Sequence, residues 1–169
     1  MSYVLFDAIN ILVKTFNIMI KTLNTTEKTE LLASNYIGHL AYIYHDAPFI
    51  APITYFFDKE RNIIICYSAE GHKITAMRKK NEVVLEVSEI DSVNNWNSVV
   101  AHGTYEELQG SEAKAYLHDF SLGVKDLIIQ KEYRKLDFIN QFSSRIYNDD
   151  LPVIFLIRVN EITGRMRRS

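Results

Sequence analysis

The stretch IIICYSAEGHKITAMRKK, residues 63–80, decides how the chain is read. Ile63, Ile64, Ile65 and Cys66 run into Tyr67 and Ser68, an apolar and β-branched series that predicts a buried strand ending at Ser68. Gly71 then permits a tight turn, and a short helix follows to Lys80. A strand–loop–helix of this kind aims the Ser68 hydroxyl, the Lys73 ammonium and the free N–H groups of a helix start at one spot. A helix N-terminus carries about half a positive charge and unpaired donors, so it suits a phosphate dianion. Lysine adds a compact charge and serine a directional donor. The same residues also fit a plainer arrangement, with Ser68 capping the helix and Lys73 a solvated charge. Spacing alone leaves both open.

Working outward, the neighbouring segments are strands. Asn24 stands three residues before Glu27, a capping pair for a helix through Leu31 and Leu32. Gly38 marks the change to a strand over Leu40–Tyr44, which stops at the turn-like cluster His45-Asp46-Ala47-Pro48. Phe49–Phe57 is the next strand, with Pro52 inside it; a strand proline argues for an edge, a bulge or a bend, places that often lie beside ligands. Residues 58–62 form a polar hairpin connection. Glu82–Val87 and Asn95–Glu107 supply two more strands, Gly110–Phe142 has helical spacing, and Leu151–Val159 closes the set before a basic tail, Arg165-Met166-Arg167-Arg168. Short strands in hairpin order with helical insertions predict a mainly β chain built as a closed antiparallel barrel.

Composition sets the outer limits. The 169 residues suffice for one domain with its own core, and 47% hydrophobic with 24% charged residues is ordinary for a soluble protein. A formal net charge of −2 gives no electrostatic footprint for nucleic acid. One cysteine, Cys66, forms no intrachain disulfide, which points to the cytoplasm; in its apolar strand it reads as an inert buried thiol. Residues 3–20 are apolar, yet Asp7, Asn10, Lys14 and Asn17 interrupt them, and neither a membrane span nor a signal peptide results. Residues 1–23 are therefore set apart as an amphipathic extension, or as a segment upstream of a start at Met19, and 24–169 as the domain.

The succession GHLAYIYHDAPFIAPITYFFD, NIIICYSAEGHK, NEVVLEV and NNWNSVVAHGTYEEL resembles the pyridoxamine 5'-phosphate oxidase-like flavoproteins, within them the branch of the nitroimidazole-resistance reductases. The similarity spans residues 31–108 and, more weakly, 155–165. It implies an FMN-binding split barrel of six antiparallel strands, a homodimer with flavin in clefts at the subunit interface. In such proteins the strand matching Pro52, Ile53, Thr54 and Tyr55 lies along the isoalloxazine, and Tyr67, Ser68, His72 and Lys73 fall at or beside the phosphate. The segment matching Trp96, Ser98 and Val99 approaches the flavin, often from the partner subunit. His39 falls where relatives place a polar residue near the cofactor. Two positions depart from the pattern: Tyr67 stands where the family commonly has His, and Asn97 where it commonly has Arg, so FMN stays the expected cofactor, with lowered affinity or a shift toward another flavin such as FAD as the alternatives.

Other signals are thin. No metal-ligand spacing, hydrolase signature, Gly-Lys-Ser/Thr phosphate loop or nicotinamide glycine fingerprint occurs. His102 reads as structural or interfacial, His118 as solvated, and Arg78-Lys79-Lys80 as a complement to a helix C-terminus. No side chain stands out as a catalytic acid or base. The expected function is a flavin-dependent oxidoreductase acting on a small-molecule electron acceptor, a nitro-compound reductase in its sharpest form. The alternatives are a non-catalytic flavin-binding or redox-sensing protein, or a split barrel that binds heme.

Overall fold

The computed structural model describes residues 20–132 and 152–168. Most of the N-terminal extension, the end of the helix expected to reach Phe142, and Leu151 lie outside these described residues.

Strand β1 (Lys21–Thr22) leads into helix α1 (Thr25–Ala33), and β2 (Ile37–Tyr44), β3 (Ala47–Asp58) and β4 (Ile63–Ser68) follow. Helix α2 (His72–Lys79) precedes β5 (Glu82–Ser92) and β6 (Asn95–Glu107), then α3 (Gly110–Glu132) and β7 (Val153–Arg167). All pairings are antiparallel, in the order β1-β7-β4-β3-β2-β5-β6, and β6 pairs back onto β7. The six long strands thus close on themselves. This is the expected six-stranded barrel, and closure removes most of the edges an open sheet would expose.

The closure is uneven. β2 pairs with β3 from Ala47 to Thr54, whereas β4 meets β3 only from Tyr55 to Asp58. The first half of β3 therefore has one edge unpaired among the described residues. Pro52 lies in that half, and it is here that the edge expected from a strand proline is found.

Alternation along the strands makes two apolar layers. Leu40, Tyr42, Ile53, Tyr55, Ile64, Cys66, Leu85, Val99 and Phe155 fill the barrel. Ile63, Ile65, Ile154 and Leu156 face outward, where α3 covers them with Leu117, Phe120 and Val124. β4 needs four consecutive buried residues because it is covered on both faces. Each such side chain removed from water contributes about 1.5–3 kcal/mol.

The ends of elements follow local chemistry. The Asn24–Glu27 capping box forms, with Glu27 N donating to Asn24 Oδ1 (2.9 Å) and Asn24 N to Glu27 Oε2 (2.7 Å). The β2–β3 turn is tighter than expected: only His45 and Asp46 lie outside the strands, at φ 49° and 60°, and Ala47 and Pro48 already belong to β3. Two residues of positive φ match the twist of a hairpin, and Asp tolerates that region. The closing strand is longer than expected. Arg165, Met166 and Arg167 pair with β6 instead of forming a tail.

Candidate functional site

The start of α2 is open to a ligand. Its N-cap is Gly71, which provides no side-chain cap, and the first turn holds no acidic residue. The first intrahelical bond is Thr75 N to Gly71 O (3.0 Å), so the N–H groups of His72, Lys73 and Ile74 precede the helical ladder. The chain bends at Glu70 and Gly71, as expected, although Gly71 itself is extended (φ 161°) and a β-carbon there would meet nothing within 4 Å. Glycine here also leaves the approach unobstructed. Ser68 does not cap the helix, because its hydroxyl donates to Ala69 O (3.0 Å).

Lys73 is half-buried and has no hydrogen-bond or ion-pair partner among the described residues. Burial pushes its ammonium below the ordinary lysine range. The nearest sequence carboxylate, Glu70, is engaged elsewhere: Arg78 Nη2 donates to Glu70 Oε1 (2.6 Å) and Arg78 Nε to Glu107 Oε2 (2.6 Å). Arg78 is thus an anchor between α2 and β6, a stronger role than the helix-end complement expected of it. An uncapped helix start, an unpaired cation and a neutralised acid together favour an anion.

His72 faces the barrel mouth. Its Nε2 lies 2.7 Å from the Tyr42 hydroxyl, and its ring stands 5.5–6.0 Å from the rings of Tyr42, Tyr44 and Phe49. Tyr67 does not join this group through its side chain. Its ring packs edge-to-face on Phe120 (5.1 Å) under α3, on the opposite face of β4 from Cys66.

A second group lies on the outer face of the barrel. His39 Nδ1 is 3.1 Å from Glu86 Oε2, and Ser98 Oγ donates to Glu86 Oε1 (2.9 Å). His39 pairs across β2–β3 with Pro52. Tyr55 N donates to Tyr36 O (2.9 Å), which sets the alternation: Ala51, Ile53 and Tyr55 turn their backbone groups toward β2. Ile50, Pro52 and Thr54 turn theirs toward the unpaired edge. A proline costs nothing where no ladder bond is made.

The remaining expected residues serve the barrel. Ile53, Tyr55 and Val99 are core side chains, and the Tyr55 hydroxyl is spent on Leu32 O (2.7 Å). Trp96 pairs with Ile90 and Arg167 at the far end of β6. Asn97 Oδ1 is buried there without a hydrogen-bond partner among the described residues.

Trp96 does not reach the first group within one chain. Tyr105 N donates to Asn81 O (2.8 Å), which puts the α2 end of the barrel beside the end of β6. Trp96 is nine residues back along that strand, roughly 30 Å away at about 3.3 Å per residue. Glu86 and Tyr42 were invisible as site residues in sequence, since their roles depend on the β2–β5 pairing and on where α2 docks; only an outward-facing Glu in an apolar strand could have flagged Glu86.

Residues 24–166 match the family model described as pyridoxamine 5'-phosphate oxidase. An uncharacterized protein of Rhizobium meliloti is 29% identical over 137 residues, 80% of this chain and 87% of that one. Among solved structures, an FAD-binding protein from Mesorhizobium loti superposes with a TM-score of 0.67 at 24% identity, covering 89% of this chain and 98% of the other. A candidate 5-nitroimidazole antibiotic resistance protein from Bacteroides thetaiotaomicron has a TM-score of 0.59 at 15% identity, covering 88% and 89%. No helix among the described residues is long and apolar enough to cross a membrane.

Proposed function

The chain belongs to the pyridoxamine 5'-phosphate oxidase family, and from that premise we propose that it is a flavin-dependent oxidoreductase whose flavin is held by its phosphate at the start of α2. The observation that carries this reading is Lys73, half-buried and, among the described residues, unpaired beside an uncapped helix start. In this reading Lys73 neutralises the phosphate, the N–H groups of His72 and Lys73 donate to its oxygens, and Ser68 rotates its hydroxyl from Ala69 O to join them.

The isoalloxazine lies along the unpaired edge of β3. Ile50 and Thr54 offer N–H and C=O groups there and Pro52 a carbonyl, a fixed row of donors and acceptors for the polar rim of a flat ring. The flavin, when bound, supplies two-electron chemistry. The chain's own part is to bind, orient and shield. Ser98 and His39 are joined through Glu86 on the outer face of the barrel.

Trp96, Ser98 and Val99 lie at the opposite end of the barrel from Lys73, so one flavin meets both groups only if a second copy supplies one of them. This supports a homodimer with the cofactor between subunits. A small nitro compound or quinone fits as the electron acceptor over the exposed ring face, with a nicotinamide nucleotide as soluble reductant. The single cysteine, buried and free, favours the cytoplasm.

Titration of the purified chain with FMN and FAD, followed by visible absorption and flavin fluorescence, tests the reading. Saturable binding with quenching is expected. A colourless chain that takes up neither flavin overturns it. Anaerobic oxidation of NAD(P)H with a nitroimidazole then separates an enzyme from a binding protein, since no acceleration over free flavin would leave binding alone.

A further inference from the structure

Resting on the flavin reading above, we infer that Glu70 is a competitor for the anion site built into the chain itself, and that Arg78 is the positioning residue that keeps it off. Glu70 stands one residue before the N-cap Gly71 and three before Lys73. An acid so placed is drawn to a helix start by the dipole and the free N–H groups. The chain shows the outcome elsewhere at the same spacing. Asp58 lies three residues before Arg61, and there it accepts from Arg61 N (3.0 Å) and from Arg61 Nε (2.5 Å). Glu70, one methylene longer, has the N–H and the ammonium of Lys73 at the corresponding places. Among the described residues it takes neither.

Arg78 holds both of its oxygens instead. Nη2 donates to Glu70 Oε1 (2.6 Å) and Nη1 to Glu70 Oε2 (3.1 Å). The guanidinium is itself fixed from the other side. Its Nε donates to Glu107 Oε2 (2.6 Å) and Nη2 to Glu107 Oε1 (2.7 Å), and the Tyr105 hydroxyl donates to Glu107 Oε2 (2.6 Å). Two forks on one planar group fix its direction, which an ammonium could not do. Glu70 and Arg78 are both exposed, and exposed ion pairs contribute little to stability. What this pair sets is the place of a charge. With Glu70 on Arg78, Lys73 and the helix start are left to an anion from solution. With Arg78 removed, the carboxylate falls back on them and a phosphate must displace it.

The test titrates FMN, and riboflavin, which keeps the ring and lacks the phosphate, into the intact chain and three variants. These are Arg78→Gln, Arg78→Gln with Glu70→Gln, and Arg78→Gln with Glu107→Gln. Dissociation constants are read by flavin fluorescence, with circular dichroism to establish that each variant is folded. Arg78→Gln should weaken FMN by about tenfold and leave riboflavin within about twofold. Removing Glu70 as well should bring FMN back to within about threefold of the intact chain. Removing Glu107, which restores the same net charge, should not. A helix merely loosened from β6 would lose riboflavin too and would not be rescued by the loss of Glu70. Unchanged FMN affinity in Arg78→Gln overturns the inference, as does a loss that Glu70→Gln fails to restore or that Glu107→Gln restores equally. Arg78→Lys, which keeps the charge but not the two forks, carries the same comparison where Arg78→Gln does not fold. Binding of FMN by the intact chain keeps the flavin reading standing whatever the variants do; failure of both FMN and FAD to bind the intact chain overturns that reading and this inference with it.

Discussion

Gly103 and Arg158 approach so closely that a β-carbon on Gly103 would stand 2.5 Å from the Arg158 carbonyl oxygen and 2.6 Å from Ile157 Cγ2. The contact lies at the register shift between His102 and Gly103, where β6 closes the barrel against β7. A backbone carbonyl in a ladder cannot swing aside as a side chain would. Gly103→Ala should therefore destabilise the fold by about 1–3 kcal/mol, the usual cost of overpacking. Urea unfolding should show a lowered midpoint with an unchanged slope.

Tyr55 carries a different kind of support. Its ring is fully buried and its hydroxyl donates to Leu32 O, an orphan carbonyl in the last turn of α1. Tyr55→Phe keeps the packing and strands that carbonyl away from water. A loss of about 1–3 kcal/mol is expected, measurable by thermal or urea denaturation.

Lys73→Ala should weaken flavin binding by about 1.5–3 kcal/mol, the range for a hydrogen bond to a charged group. Riboflavin, which lacks the phosphate, should bind the variant and the intact chain alike. An equal loss for riboflavin would place the lysine elsewhere than at the phosphate.

Binding should also depend on alkaline pH. Burial holds the Lys73 pKa below its ordinary value, and a bound phosphate raises it again. Affinity is then level while Lys73 is protonated and falls as pH rises through the lowered pKa, before the ordinary lysine value of about 10.4. Fluorescence titrations across the alkaline range check the sign; in Lys73→Ala the dependence should vanish.

Cys66 is fully buried, and that burial pushes its thiol well above the ordinary range, with Lys73 acting weakly the other way. A disulfide reagent should leave it untouched in the native chain and modify it fully in denaturant. Rapid native reaction would mean that the barrel opens far more readily than its packing implies.

Much of the fold was legible because it rests on local pattern. The alternation in β5 and β6, the four apolar residues of β4 and the Asn24–Glu27 box each announce their element with little reference to distant sequence. Element ends were less legible. The two-residue turn at His45–Asp46 looked like four, since Pro48 reads as a breaker yet occupies a strand position. Arg165–Arg167 looked like a tail because cations rarely signal strands, although pairing with β6 draws them into the sheet.

The site divides along the same line. Sequence alone placed Ser68 and Lys73 around a helix start and Pro52 at an edge, a bulge or a bend, because glycine, proline and a strand-to-helix switch act over a few residues. Tertiary structure decided what those residues do. It left Lys73 unpaired among the described residues by turning Glu70 to Arg78, packed Tyr67 on Phe120 and spent the Tyr55 hydroxyl on Leu32. It brought His39 and Ser98 together through Glu86, and it set Trp96 a barrel's length from the anion site. Which charge finds a partner, and which face a ring presents, depends on strands that meet only when the barrel closes.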